Sequence, residues 1–165
     1  MPLTPKEAAE ALLSVIPHAV PSATLEEYGI EGSAYQAQEF TKELLSLSLF
    51  WTGCALRVGA PDPIGKTIFE ELYQCIRRTW VTDFELGEVP VDEYFQEVEH
   101  RRSTWEEITQ QGGDPIAVIS ESSDFLESKG VTRPEDHQKV LGLLADLVPM
   151  EEIGEIAERI ENEMT

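Results

Sequence analysis

Basic residues are what this chain has least of. Twelve lysines and arginines face 32 aspartates and glutamates over 165 residues, a formal net charge of −20. Nonspecific contact with nucleic acid or an anionic membrane surface needs a positive field, so neither is an expected partner. A basic protein, a cationic ligand or metal ions remain compatible. Cysteine is nearly absent too, with Cys54 and Cys75 alone. A hairpin turning near residues 59–62 would set Cys54 level with Thr67 rather than Cys75, which a disulfide does not fit; two buried, reduced thiols are expected. No basic stretch followed by an apolar one opens the chain, so no secretory signal is expected. The longest uncharged apolar run, Leu44 to Leu56, falls short of the roughly 20 residues that span a bilayer. These absences together read as a soluble, cytoplasmic protein.

Strand patterning is missing as well: no convincing stretch alternates apolar and polar residues, and no internal repeat is visible. What is there is helical. Ala37, Phe40, Leu44, Leu47, Trp51, Cys54 and Val58 recur at spacings of three and four, drawing an apolar seam from 33 to 58. Leu45, Leu49 and Leu56, joined by Phe50, make a second stripe, as expected of the buried central member of a bundle. Ser33 with Gln36, and Thr4 with Glu7 around Pro5, have the pattern of capping boxes. Thr132 and Glu135 around Pro134 repeat it, and Thr24 with Glu27 suggests one capped turn in the long Pro17 to Gly32 connection. Gly59 and Pro61 should stop the central helix, with Asp62 and Pro63 capping the next.

The spacing predicts further helices over about 62–81, 91–111, 115–129, 134–148 and 150–163, with Ile116, Ile119 and Leu126 on the inner side of the fifth. The expected fold is all-α: one domain of about seven helices around a central antiparallel hairpin at 33–81. An N-terminal helix and loop (1–32) would be strapped on core helices (33–129), and a C-terminal helical hairpin would close the chain at 131–165.

Hydrophobic residues at 41% suit a folded protein, so the charge rather than the core is the unusual quantity. The acids comprise 25 Glu and 7 Asp, a composition that builds helices and also fits salt adaptation. Asp92, Glu93, Glu97, Glu99, Glu106 and Glu107 on one helix, and Glu151, Glu152, Glu155 and Glu158 on the last, form the expected interaction surface. With no catalytic signature in view, the sequence points to a noncatalytic acidic module that binds a basic protein, of the inhibitor, immunity-protein, chaperone or nucleic-acid-mimic type.

The alternative is a carboxylate and histidine metal site in the bundle, for an enzyme or a storage protein. Glu97 and His100 have the Glu-x-x-His spacing of di-iron bundles, and Glu93 could join them. They fall opposite the Val98 seam, however, and no cofactor is expected. A small-molecule sensor with an apolar pocket between the central helices is a third reading. Gly65, Lys66 and Thr67 imitate the end of a phosphate-binding loop, but the earlier glycine and the strand that the motif requires are missing. Arg101 lies on the seam 91, 94, 98, 101, 105, 108. An antiparallel register sets it level with Glu71 and sets Arg102 level with Glu70, an expected interhelical ion cluster that fixes register.

Overall fold

Serine and threonine interrupt the apolar pattern of the central helix, and the way their hydroxyls are satisfied is what allows that helix to be enclosed. The computed structural model describes residues 2–60 and 62–164, in which the central helix, α3, spans Ala34–Gly59. Thr41, Ser46, Ser48 and Thr52 are all buried there, and each donates to the carbonyl four residues earlier at 2.7–2.9 Å. No hydroxyl then needs water, and α3 can bury opposite sides. Leu45, Leu49 and Leu56 enter one apolar cluster, while Ala37, Phe40, Leu44, Leu47 and Phe50 enter another. Trp51 touches both.

The remaining helices are α1 (Pro5–Val15), α2 (Ser22–Glu27), α4 (Asp62–Thr79), α5 (Val91–Gln110), α6 (Pro115–Ser128), α7 (His137–Leu147) and α8 (Met150–Met164). The fold is all-α and single-domain, with seven helices of eleven residues or more besides the short α2, and no strand occurs among the described residues. No helix among them is long and apolar enough to cross a membrane. The first cluster joins α1, α4, the start of α5 and α8 to α3; the second joins α2, α6, α7 and the last turns of α5 to it.

Capping side chains mark the starts of α1, α3 and α6. Thr4 and Glu7 close a full capping box on α1, and the bonds from the Thr4 backbone and hydroxyl hold the Glu7 carboxyl below its ordinary range. Ser33 and Gln36 do the same for α3, and Asp114 accepts from the Ala117 amide at the start of α6. Gly112 and Gly130 end α5 and α6 at φ 87° and 74°, where a side chain would be strained.

Several expectations change. Thr132 and Glu135 form no box, because Pro134–Asp136 makes a 3₁₀ turn and α7 starts only at His137. Pro21, not Thr24, precedes α2, and no side chain caps it. Asp62 lies in the first turn of α4, and Pro61 is outside the described residues. Val58 is 86% exposed and Ile116 59%, because the seam of α3 rotates out of the core in its last turn and α6 buries Val118 and Ile119 instead. The expected C-terminal hairpin is divided: α7 lies on α6, whereas α8 crosses to α3 and α1. α1 is core rather than strap, with Ala8, Ala9 and Leu12 fully buried. α3 and α4 touch near Gly53 and Phe69, but α4 rests most extensively on α1, and α3 on α8.

The crossing of α3 and α8 is close. A Cβ on Gly59 would lie 2.9 Å from the Ala157 carbonyl oxygen, inside the approach that real side chains make. Gly59→Ala is therefore expected to lower stability by about 1–3 kcal/mol. At Gly142 an added methyl meets nothing within 4 Å, so Gly142→Ala is expected to raise stability by about 0.5–1 kcal/mol. Urea melts of the two variants check both signs.

Candidate interaction surface and buried ion network

Position on a helix decides which of the many carboxylates remain free to meet another molecule. On α5 most are already engaged. Asp92 lies 2.7 Å from Arg77, Glu97 4.0 Å from Lys129, Glu99 3.4 Å from Arg102 and Glu106 3.4 Å from Arg57. Glu99 also accepts from the Tyr73 hydroxyl at 3.2 Å. Glu93 and Glu107 are exposed and make no ion pair among the described residues.

α8 differs. Its inner stripe of Ile153, Ala157 and Ile160 is buried, while Glu151, Glu152, Glu155 and Glu158 are all exposed and unpaired among the described residues. Its one base, Arg159, is held by Glu163 at 2.7 Å. Arg159 is the one base on the outer face of the helix, set against these four exposed glutamates.

The interior holds a second assembly of charge. Arg101, 4% exposed, reaches from α5 with Nη1 at 2.8 and 3.1 Å from the two oxygens of Glu43 on α3. Its Nη2 lies 3.1 Å from Glu121 on α6, which also accepts from the Trp105 indole. The guanidinium carbon sits 3.5 Å from the centroid of Phe125 and 4.6 Å from that of Trp105, so two rings cover the cation. Nearby, Ser46 and Tyr94 share a hydrogen bond of 3.0 Å, and burial drives the Tyr94 phenol far above its ordinary range. Burial likewise raises Glu43 to about 7, against the pull of Arg101. The Ser122 hydroxyl also favours the charged carboxylate, although its oxygen makes no hydrogen bond of full geometry.

The expected cluster of Glu70, Glu71, Arg101 and Arg102 is thus corrected. Arg101 and Arg102 are about 100° apart around α5 and face different neighbours. Arg101 points between α3 and α6, whereas Arg102 pairs with Glu99 and lies over Phe69 of α4 at 5.1 Å. Glu70 is exposed and Glu71 half-buried, and neither reaches either arginine. Glu43 carried a signal in the sequence: it stands three residues after Phe40 and four before Leu47, on an inward stripe.

Glu93, Glu97 and His100 do not converge, since Glu97 turns to Lys129 and the other two are exposed. Among the described residues the group close enough to share a metal ion is Asp124, Glu127 and His137. There His137 Nδ1 is 2.9 Å from Glu127, 3.2 Å from Ser123 and 3.7 Å from Asp124, a clamp between α6 and the start of α7. Both cysteines are free; Cys75 is buried and Cys54 half-buried, its thiol pushed up by burial.

Comparison with known protein families, with curated proteins and with solved structures finds no match to the chain.

The ion network makes an expectation about pH. A carboxyl raised to about 7 in the folded state binds its proton more tightly than the unfolded chain does. Its contribution to stability is then fully present below about 4.5 and is lost as the pH rises to about 7. Glu43→Gln keeps an acceptor for Arg101 without the charge. It is expected to match the wild type near pH 4.5 and to exceed it by on the order of 3 kcal/mol above pH 7. Glu43→Ala leaves Arg101 short of a partner and is expected to cost about 3–5 kcal/mol. Chemical melts across pH 4–8 separate the two.

Proposed function

We propose that the protein is a noncatalytic binding module whose docking surface for a basic protein is the outer face of α8. The observation that carries this reading is the contrast between the two acidic helices. The carboxylates of α5 are largely neutralised by the protein's own bases, while Glu151, Glu152, Glu155 and Glu158 stand exposed and without an ion pair among the described residues. The apolar stripe of α8 is committed to α3 and α1, so what the helix offers a partner is charge on a rigid rod. Such a surface raises association rates and rejects acidic competitors.

The metal-site alternative gains no support from the core. The buried carboxylate of Glu43 and its neighbour Glu121 are neutralised by a guanidinium, whose fixed positive charge opposes a second cation there.

Exposed ion pairs across an interface contribute about 0.2–1 kcal/mol each. Replacing Glu151, Glu152, Glu155 and Glu158 together by Gln is expected to weaken binding to a basic partner captured at low salt by about tenfold to a hundredfold. A Glu93→Gln and Glu107→Gln variant should bind as the wild type does. Quantified capture at low and high salt tests the reading; equal retention by all three proteins, or no salt-sensitive partner, overturns it.

A further inference from the structure

Three of the twelve bases in this acidic chain converge on one cleft of about 290 Å³, formed by the last turns of α3, the first turns of α4 and the middle of α5. Arg57, Lys66 and Arg102 supply the charge, and Leu56 and Phe69 supply apolar wall. Two acids share the lining. Glu106 is held by Arg57 and Arg102 by Glu99, each at 3.4 Å, while Asp62 is exposed in the first turn of α4, so the lining itself carries three bases against two acids. Lys66 is exposed and has no ion-pair partner among the described residues.

Two glycines keep the cleft open. Gly53 and Gly65 lie inside helices, where glycine is the least favourable residue apart from proline. Packing does not demand them: an added Cβ would meet nothing closer than 3.7 Å at Gly53 and 3.6 Å at Gly65. Gly142 and Gly154 show that open helical glycines occur elsewhere in the chain, so glycine alone carries little. Here the two border the same cationic space, and a larger side chain at either would enter it.

We propose that this cleft binds a small organic anion: a carboxylate or phosphate monoester carried on an apolar, preferably aromatic, body. The anionic group meets Lys66 with Arg57 or Arg102, and the body lies against Phe69 and Leu56. The volume is at the lower edge of the range for ligand pockets, which suits a single-ring molecule. The partly exposed Arg57–Glu106 and Arg102–Glu99 pairs are weak enough to yield a guanidinium to a ligand. The absent earlier glycine and strand argue against a nucleotide triphosphate, and the single-ring size agrees.

The full-length chain, labelled with ¹⁵N, is titrated at millimolar concentration with phenyl phosphate, benzoate, inorganic phosphate and benzamidine. Saturable shifts at Gly53, Gly65 and Lys66 are expected with phenyl phosphate or benzoate. Binding should be about tenfold weaker with inorganic phosphate and absent with benzamidine. Lys66→Glu should weaken the aromatic anion about tenfold. Gly65→Leu should abolish binding while melting no lower than the wild type. Inorganic phosphate binding as tightly as phenyl phosphate, wild-type affinity in both variants, or no saturable shift in the cleft would each overturn the assignment. The α8 glutamine variant should bind these anions normally, which keeps this outcome separate from that of the acidic face.

Discussion

The structure depends on α3 being enclosed from two sides at once. A surface helix in a globular protein commits one stripe to a core; α3 commits opposite stripes to two, and the other helices divide according to which side they serve. This explains why chain order and spatial order diverge. α1 and α8 come from opposite ends of the sequence and meet on one side of α3, while α6 and α7 cover the other. Enclosure is possible because the hydroxyls of α3 turn back on its own carbonyls, which removes the desolvation penalty that buried serine and threonine would otherwise bring.

Where α3, α5 and α6 meet, the interior is not apolar. One arginine binds two glutamates there beneath two aromatic rings, an arrangement that costs desolvation and repays it in directional bonds. Greasy contact between α3 and α5 would permit sliding or rotation by a residue. Two bonds from Arg101 to Glu43, with Nη2 reaching Glu121, permit one register of three helices, and this is the structural work the buried charge performs. Trp51 is a lesser cost of the same dense interior: its indole N–H is buried without an acceptor.

Much of the scaffold was legible in the sequence because it is written in local signals. Three-and-four spacing places the helices within a few residues, and Thr4 and Ser33 mark starts that the structure keeps. What spacing could not convey is which helix lies on which. An antiparallel register across the α4–α5 loop pairs Arg101 with Glu71 only if consecutive helices pack on each other along that face. α5 instead presents Arg101 to α3 and α6, and gives α4 the neighbouring face that carries Phe95, Glu99 and Arg102. Glu43 escaped notice as a core residue because a glutamate on an apolar stripe is ordinarily a boundary residue; only its three-dimensional partner explains it. The cleft was invisible for the same reason, since Arg57, Lys66 and Arg102 come from three helices and share no local motif.

The outer face of α8 also bears on how copies of the chain can meet. A twofold dimer places one patch against itself, so an interface through this helix would set Glu151, Glu152, Glu155 and Glu158 against their own duplicates. Like-charge apposition on that scale is repulsive at ordinary ionic strength. Self-association is therefore steered to other sides of the molecule, leaving that flank to foreign surfaces of opposite sign.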